Sequence, residues 1–476
     1  MIPANKFQKL KFYLNLTNPL IDRKVRVCRT YGRTVYDHLV FLERSQWWTP
    51  EELEVFQNDK LKRLIRHVYE NIPYYRELFA RNNLAPGDIR TAEDLHKIPV
   101  LTKYVIRKNF PDRMLAGGAE VTEDNVRRTG ASTGEPLVFC GDYRSFDIAW
   151  ASFLRFYQWI GYEWGDKEAR VWGFPIITDG RKAPIHQRAA DWLYGRYVPN
   201  RRYFDAFNMD EEKLGEYAAE LSRYKPHILR GYVSAVTSLA DYCRKNNING
   251  IRPKAITTTA EMLHSSDRQL LQKQFSSDVF DQYACGECLG VAYECKEHKG
   301  MHITAEHCVV EILDEHKDET MPAGERGRIA ITDLDNYVMP FIRYVNGDVG
   351  RLKKEICGCG RGLPLMDYAE GRITDMIRGA NGNVVHGEFF THLLEEMGWL
   401  EQFGVRNFEA VQKDRNGIHW YLVCDTRPGQ QEISELISLC RRYLGNMNIE
   451  VHFVENIQPT PSGKRRFTRS EVTAGS

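Results

Sequence analysis

Apolar residues recur at helical spacing in the stretch that follows Thr49. Leu61, Ile65 and Val68 stand three or four positions apart, and a Thr-Pro-Glu-Glu sequence opens the stretch. That order is typical of a capped helix start followed by an amphipathic helix. We therefore expect a helix that begins near residue 49 and ends where Pro73 interrupts it.

A second helical pattern covers residues 211–246, and Pro226 and a Gly231-Tyr232 turn are expected to divide it into two helices. Short runs of β-branched and aromatic residues predict strands between the helical segments. These runs are centred on Val171, Ile256, Phe280, Val309 and Ile329. Helices that alternate with short buried strands predict an α/β fold.

The pattern changes after Gly371. Strand candidates at residues 408–414 and 418–425 are followed by a helix pattern at 432–443 and a strand candidate at 451–456. This mixture predicts a compact α+β unit. We expect a large N-terminal domain over residues 1–371 and a small C-terminal domain over residues 372–476.

The composition indicates a large hydrophobic core and almost no net charge. The chain has 476 residues, with 65 basic and 64 acidic side chains, 42% hydrophobic residues and 12% aromatic residues. This balance gives no sign of nucleic-acid binding and argues against disorder. The first 46 residues carry a basic excess, which fits either a solvated helix surface or peripheral contact with an anionic membrane.

Localisation is inferred from hydropathy and cysteine content. The sequence has no apolar run of the roughly 18 residues needed for a membrane span, and its start lacks the apolar segment of a signal peptide. The 11 cysteines, an odd number in a long chain, fit reduced thiols or metal ligands better than a disulfide framework. We therefore expect a cytoplasmic protein without a transmembrane segment.

Residues 129–136, with the sequence TGASTGEP, form the sharpest local motif. Small residues such as Gly134 let backbone N–H groups approach an anion closely, and the hydroxyls of Thr129, Ser132 and Thr133 can donate hydrogen bonds to phosphate oxygens. We interpret the segment as a phosphate-binding loop. A Gly/Ser/Thr-rich hairpin without a ligand is the alternative.

Four further motifs follow in a fixed order: YACGE at 283–287, RYVNGD at 343–348, GRITD at 371–375 and PSGK at 461–464. Together with the loop, they resemble the adenylate-forming superfamily of acyl-CoA synthetases, adenylation domains and luciferases. The closest resemblance is to phenylacetate-CoA ligase-like proteins, in the CapK-like branch linked to capsular polysaccharide biosynthesis. It implies a large domain of mixed sheets and helices and a small, mobile α+β domain.

The resemblance implies a role for several residues of the large domain. Tyr283 is expected to pack against adenine, and Asp348 to accept hydrogen bonds from the ribose hydroxyls. Glu287 is expected to help hold Mg²⁺, a hard cation that prefers oxygen ligands. Ala260 and Glu261 match the segment that lines the adenine pocket.

Three more positions match the domain junction and the C-terminal end. Arg372 corresponds to an arginine that reaches the nucleotide, and Thr374 to the hinge, where the family often has Asp or Lys. Lys464 corresponds to a mobile lysine whose ammonium group offsets the charge that develops as a carboxylate attacks the α-phosphate. Lys464, Arg372 and Glu287 are therefore the expected catalytic residues.

One histidine and three cysteines form a candidate metal site. Cys295 and His302 follow the YACGE motif, and Cys357 and Cys359 lie in a Cys-Gly-Cys turn. These are the ligands that a tetrahedral structural zinc prefers. The CGEC sequence at 285–288 offers a rival pair, and reduced cysteines without a metal are the alternative.

These features predict an ATP- and Mg²⁺-dependent ligase that activates a small carboxylic acid as an acyl-adenylate and passes the acyl group to a thiol such as that of CoA. An amide-forming ligase with an amine acceptor, as in polysaccharide or natural-product biosynthesis, is the alternative. A non-catalytic nucleotide-binding protein is an alternative of another class, suggested by Ala284 at a position where the family usually has glycine. The expected bound species are ATP, Mg²⁺ and Zn²⁺, with CoA as a co-substrate.

Overall fold

A computed structural model describes residues 35–122, 125–128, 137–163, 166–173, 200–314, 316–370, 377–385, 387–457 and 468–472. The α-helices in these ranges are α1 (Val35–Ser45), α2 (Pro50–Asn71), α3 (Pro73–Arg81), α4 (Lys103–Asn109), α5 (Tyr143–Trp159), α6 (Glu211–Tyr224), α7 (Val233–Lys245), α8 (Ser265–Phe275), α9 (Glu388–Glu396), α10 (Trp399–Gln402) and α11 (Gln430–Leu444). Short 3₁₀ helices lie at Pro86–Asp88 and Ala92–Lys97.

The strands in the same ranges are β1 (Val126–Arg128), β2 (Val138–Cys140), β3 (Glu168–Trp172), β4 (Arg201–Asp205), β5 (Ile228–Tyr232), β6 (Ala255–Thr259), β7 (Asp278–Tyr283), β8 (Ala292–Glu294), β9 (Met301–Ile303), β10 (Cys308–Leu313), β11 (Arg326–Asp333), β12 (Tyr344–Leu352), β13 (Leu365–Glu370), β14 (Ile377–Arg378), β15 (Val384–Val385), β16 (Val405–Asp414), β17 (Gly417–Cys424), β18 (Asn448–Phe453) and β19 (Thr468–Ser470). The predicted α/β class is confirmed.

Helix α2 begins with a complete capping box. The Glu52 backbone N–H donates to Thr49 Oγ1 (3.2 Å), and the Thr49 backbone N–H donates to Glu52 Oε2 (2.9 Å). These reciprocal bonds satisfy donors that a helix start otherwise leaves unpaired. The apolar stripe that includes Leu61, Ile65 and Val68 is fully buried. The predicted helix is confirmed, and a new helix starts at Pro73.

The prediction of a turn at Gly231-Tyr232 is wrong. Both residues end strand β5, which separates α6 from α7. A Cβ atom on Gly231 would lie 2.6 Å from Val236 Cγ2 and 2.9 Å from the Val171 carbonyl oxygen. The glycine is therefore needed because the strand packs closely against its neighbours. It does not reverse the chain there.

The first of two compact units contains described residues within 35–128, 137–163 and 280–370. Its sheet is antiparallel, with the strand order β10-β11-β12-β13-β9-β8-β7. Helices α2 and α3 contribute to a core that also contains Val309 and Ile342. The predicted strands at Phe280, Val309 and Ile329 lie in this sheet.

The second unit contains described residues within 166–279 and 377–472. Strands β4, β3, β5 and β6 are parallel neighbours, and α6, α7 and α8 pack against them. A separate four-stranded sheet has the order β18-β17-β16-β19. Side chains from one face of β17 share a core with α9 and α11. These last elements match those predicted after residue 371.

The predicted domain boundary at residues 371–372 lies outside the described residues and stays a prediction. Within the described ranges, none of the helices combines the length and the hydrophobicity needed to cross a membrane.

Candidate active site

Strand β12 bulges at the RYVNGD motif. Val345 lies opposite Ala330 of β11, and Val349 lies opposite Arg328, so the segment between the two valines faces a single residue of β11. Gly347 within this segment has φ +96°, a left-handed conformation that favours glycine. Bulges redirect side chains and are frequent beside functional sites.

The bulge brings Asn346 and Asp348 to Tyr283, the last residue of β7. The Tyr283 hydroxyl donates to Asp348 Oδ2 (2.9 Å), and Asn346 Nδ2 donates to the same oxygen (2.7 Å) and to the Tyr283 hydroxyl (2.7 Å). Burial, together with the charge of Asp348, raises the pKa of Tyr283 well above its usual value, so the hydroxyl stays protonated. These bonds fix the direction of the Asp348 carboxylate.

Glu287 lies in the loop between β7 and β8 and is 7% exposed. Its Oε1 accepts a hydrogen bond from the hydroxyl of Tyr344 and lies 3.9 Å from Lys103 Nζ. Lys103 begins α4, and the nearby Leu101 forms a bridge with Tyr344. The carboxylate is therefore held against the same strand that carries Asp348.

A buried charged network supports the β7–β8 loop. His307 Nε2 lies 3.1 Å from the Leu289 carbonyl oxygen, and His307 Nδ1 lies 2.9 Å from Asp335 Oδ2. Asp335 also accepts from Lys60 Nζ (2.6 Å). Burial opposes a charge on His307, but Asp333 and Asp335 outweigh it and raise the pKa of the ring to about 9. The ring is thus protonated at neutral pH and donates from both nitrogens.

Gly290 lets the same loop lie against α5. It has φ +72°, and a Cβ atom there would lie 2.6 Å from Ser152 Oγ and 2.9 Å from Ala149 Cα. A larger residue would push the loop away from the helix. The position of Glu287 therefore depends on a glycine as well as on His307.

The four residues predicted to bind zinc also meet in the first unit. Cys295 Sγ lies 3.6 Å from Cys357 Sγ, and Cys359 Sγ lies 3.4 Å from His302 Nε2. All four ligand atoms lie within 4.8 Å of one another. A tetrahedral zinc ion separates such sulfur and nitrogen ligands by about 3.5–3.8 Å. The spacing of the cluster suits zinc, and its sulfur atoms are too far apart for a disulfide bond of about 2.05 Å.

His302 has the protonation state that a metal ligand needs. Burial lowers its pKa to about 4, so the ring is neutral at pH 7. Its Nδ1 lies 3.4 Å from the Leu363 carbonyl oxygen, and Trp159 packs edge-on against the ring at 5.5 Å between centroids. A proton on Nδ1 leaves the lone pair of Nε2 available on the side of Cys359.

The rival thiol pair is placed differently. Burial, together with the charge of Glu287, raises the pKa of Cys285 well above its usual value, so its thiol stays protonated. Its Sγ lies 3.5 Å from the Cys288 carbonyl oxygen. Cys288 groups with His307 and Asp333, all of them buried. The two cysteines thus belong to the support of the β7–β8 loop.

Ala260 and Glu261 directly follow β6 in the second unit. Glu261 Oε2 accepts from the Ser234 backbone N–H at the start of α7 (2.7 Å), so its carboxylate caps a helix. Ala260 has φ +70°, which is uncommon for a residue other than glycine. Their place in an adenine pocket stays a prediction.

The other predicted site residues lie outside the described residues: Thr129, Ser132, Thr133, Gly134, Arg372, Thr374 and Lys464. The strands on either side of the predicted phosphate loop are described. They pair as a hairpin, with Arg128 of β1 opposite Val138 of β2. The roles of these seven residues stay predictions.

Three contacts of this site were not predicted: those of Lys103, Tyr344 and Asn346. Tyr344 and Asn346 are two positions apart, and alternate residues of a strand share a face, so their spacing was an available signal. Lys103 reaches Glu287 because the chain next to it pairs with β12. No local sequence pattern reports such a pairing.

Similarity to known proteins now identifies the family. A family model for the CapK C-terminal domain matches residues 377–471. A phenylacetate-coenzyme A ligase of Aromatoleum evansii is 30% identical over 351 residues, which cover 71% of this chain and 75% of that protein. The chain belongs to the phenylacetate-CoA ligase family. This family member is also similar to Protein CapK of Staphylococcus aureus, with 25% identity over 464 residues, 95% of this chain and 96% of that protein.

Solved structures of 2-hydroxyisobutyryl-CoA ligase share the fold. The complex with 2-HIB-AMP and CoA in the thioesterification state has a TM-score of 0.58 and 19% identity, and the match covers 88% of this chain and 90% of that chain. An open conformation with the same ligands has a TM-score of 0.54 and 19% identity, with coverage of 87% and 90%. This member of the phenylacetate-CoA ligase family is an ATP-dependent adenylate-forming ligase, so the prediction of an enzyme is confirmed.

Proposed function

We propose that the protein joins a small carboxylic acid to AMP and then transfers the acyl group to the thiol of CoA. The observation that carries this proposal is the cluster that Asn346 and Asp348, in the bulge of β12, form with Tyr283 of β7. A ribose presents two adjacent hydroxyl donors, and a carboxylate of fixed direction can accept from both. The relatives named phenylacetate-coenzyme A ligase support CoA as the acceptor.

The reaction has two steps. In the first, an oxygen of the carboxylate attacks the α-phosphorus of ATP, and the bond to pyrophosphate breaks. Lys464 supplies positive charge to this transition state, and Arg372 contacts the nucleotide, as their matches to the family imply. In the second, the sulfur of CoA attacks the acyl carbon, the bond to AMP breaks, and the thiol proton passes to solvent.

Glu287 is the residue we assign to Mg²⁺. In nucleotide sites this ion is held by one or two carboxylates together with the phosphates of the substrate, so a single buried carboxylate fits it. Oε1 is engaged by Tyr344 and lies near Lys103, and we therefore assign Oε2 as the ligand atom. When bound, the ion neutralises charge on the phosphates.

Exchange of labelled pyrophosphate into ATP tests the first step, with a panel of acids that includes phenylacetate and 2-hydroxyisobutyrate. Asp348→Asn should raise the KM for ATP by about tenfold to hundredfold, because hydrogen bonds to a charged group are worth about 1.5–3 kcal/mol. Asp314→Asn is the matched control, since Asp314 accepts only local backbone bonds in the described structure, from His316 and Lys317 (2.8 and 2.9 Å). Absence of exchange with every acid, or equal KM values for the two variants, would contradict the proposal.

The acceptor is tested by product mass. The accepted acid and ATP are incubated with CoA or with amines, and a thioester should form only with CoA. An amide formed without CoA would show that the acceptor is an amine, and the assignment of the adenylation step would still stand. That alternative is retained because the similarity to CapK extends over 95% of this chain.

We also propose that Cys295, His302, Cys357 and Cys359 hold a structural zinc ion. Four protein ligands close a tetrahedral site, and a closed zinc site stabilises the fold without taking part in the reaction. The ligands come from β9, from the turn after β8 and from the segment between β12 and β13. The ion would therefore link parts of the first unit that are far apart in sequence.

Elemental analysis tests this assignment on protein purified without added metal and dialysed against a mild chelator. We expect about one zinc per chain. Cys357→Ser should lose the metal and unfold at a lower temperature. Cys424→Ser is the control, because Cys424 is a half-buried cysteine of the second unit, outside the cluster. Unchanged zinc content in Cys357→Ser would contradict the assignment.

A further inference from the structure

Two histidines and a glutamate meet on the open face of the C-terminal sheet. Strands β17 and β18 run parallel, with His419 opposite Glu450 and Tyr421 opposite His452. Alternate residues of β17, such as Trp420, turn to the opposite face and enter the core. The register therefore places the two imidazoles and the carboxylate side by side at the surface.

Their distances match the edges of a coordination tetrahedron. His419 Nδ1 lies 3.0 Å from His452 Nε2, and Glu450 Oε2 lies 3.4 Å from each of these nitrogens. A tetrahedral ion with bonds of about 2.0–2.1 Å separates its ligands by about 3.3 Å. We propose that His419, Glu450 and His452 form a second metal site, one that takes a divalent transition-metal ion such as Zn²⁺.

The chemistry of the three ligands selects the ion. Imidazole nitrogens suit Zn²⁺, Co²⁺, Ni²⁺ and Cu²⁺, whereas Mg²⁺ and Ca²⁺ prefer sites made of oxygen ligands. The side chains of His419, Glu450 and His452 are 23%, 46% and 38% exposed. Three protein ligands at a partly exposed site leave a coordination position for water or another ligand. This site is thus open, in contrast to the closed Cys₃His cluster.

The histidine pair is held in a defined orientation. The planes of the two rings are parallel within 5°, their centroids are 5.2 Å apart, and the facing nitrogens are at hydrogen-bond distance. Tyr421 covers one face of His452 at 5.1 Å between centroids. A metal ion needs the lone pair of each facing nitrogen, so it would take the place of the direct contact between them. Each ring would tilt to direct its lone pair at the ion.

Titration of the full chain with Zn²⁺ against a chromophoric chelator tests the site, without reference to the ligase activity. Wild type should take up about one more equivalent than His419→Gln or His452→Gln. Glu450→Gln keeps both imidazoles and should weaken the binding of that equivalent by at least about tenfold. His392→Gln is the matched control, because His392 is a half-exposed histidine of the same unit that lies 3.6 Å from the single carboxylate of Glu395.

The absorption spectrum of bound Co²⁺ distinguishes this site from the cysteine cluster. Cobalt bound by thiolates gives charge-transfer absorption in the near ultraviolet, whereas cobalt bound by two histidines and a glutamate does not. The equivalent that is lost in His452→Gln should therefore bind without thiolate absorption. Equal metal uptake by wild type, His419→Gln and His452→Gln, or thiolate absorption from the extra equivalent, would overturn the proposal.

Discussion

Two buried carboxylates of the first unit are neutralised in different ways. Glu306 is fully buried, and its Oε1 accepts from Arg155 Nη1 and from Ser45 Oγ, both at 2.7 Å. Glu287 is almost as deeply buried, but its ion pair with Lys103 spans 3.9 Å. Arg155 neutralises Glu306 through a direct hydrogen bond, whereas the cation beside Glu287 lies at a longer distance.

We expect this difference to separate a structural carboxylate from a functional one. Removing one partner of a close buried ion pair is costly, because the other charge stays buried without compensation. A carboxylate with a longer ion pair can exchange that contact for a bound cation. Arg343 stands in the RYVNGD motif, but it too forms a close buried ion pair. Its Nε lies 3.2 Å from Glu311, and its Nη1 donates to the Ile98 carbonyl oxygen (2.7 Å). Residues of one motif can therefore serve different purposes.

The largest effect is expected for Glu306→Gln. This change should lower the free energy of unfolding by about 3–5 kcal/mol, because Arg155 would remain buried without its counter-charge. The adenylation rate per folded molecule should stay near that of the wild type. Denaturant unfolding and pyrophosphate exchange measure the two quantities.

Glu325→Gln is the control for that experiment, because Glu325 is an exposed carboxylate of the same unit. Its free energy of unfolding should lie within about 0.5 kcal/mol of wild type. If Glu306→Gln were as stable as Glu325→Gln, the buried pair would not be the structural element that we describe.

Glu287→Gln should lower the reaction rate more than the stability of the fold, the reverse of what we expect for Glu306→Gln. We expect pyrophosphate exchange to slow by about 10² to 10³, which corresponds to about 2.7–4 kcal/mol in the transition state. Its free energy of unfolding should change less than that of Glu306→Gln. A large loss of stability with a near-normal rate would place Glu287 with Glu306 among the structural carboxylates.

Much of the fold could be predicted because its signals are local. The capping box at Thr49 and the helical spacing of Leu61, Ile65 and Val68 depend on neighbouring residues alone. The role of Gly231 could not be predicted because glycine suits both a turn and a close packing contact. The contact that decides between them comes from Val171 and Val236, and Val171 lies far away in the sequence.

The candidate site could be predicted only in part. The motifs placed Tyr283 and Asp348 in one site, and the structure brings them into direct contact. The bulge that aims Asp348 arises from the register between β11 and β12, which no single stretch of sequence encodes. The three cysteines and the histidine predicted to bind zinc could be grouped because their chemistry is specific. His419 and His452 are 33 positions apart, and their meeting depends on the pairing of β17 with β18.

A change of pH tests the network behind Glu287. His307 has a pKa of about 9 in the folded protein, above the value of about 6.5 expected when unfolded. The protonated ring therefore stabilises the fold fully below about pH 6.5, and this contribution is lost as the pH rises through about 9. The free energy of unfolding should fall by up to about 3 kcal/mol over that window.

His307→Gln removes the titrating group, so its stability should change less with pH between about 6.5 and 9. The comparison uses the slope of stability against pH, which does not require the two proteins to be equally stable at any one pH. Parallel profiles for wild type and His307→Gln would show that the ring is not protonated in the folded protein. The loop of Glu287 would then lack the charged support that we describe.

The smallest effect is expected for Tyr344→Phe, which removes the hydroxyl that donates to Glu287. Adenylation should slow by about tenfold, since a hydrogen bond to a charged group is worth about 1.5 kcal/mol or more. Tyr75→Phe is the matched control, because the Tyr75 hydroxyl is also buried but bonds only to backbone among the described contacts, at Pro340 and Ile342 (2.9 and 3.2 Å). It should lower the free energy of unfolding by about 1 kcal/mol and leave the rate unchanged. If both substitutions changed stability alone, the Tyr344 hydroxyl would be a structural contact, and the distinction between Glu287 and Glu306 would fail.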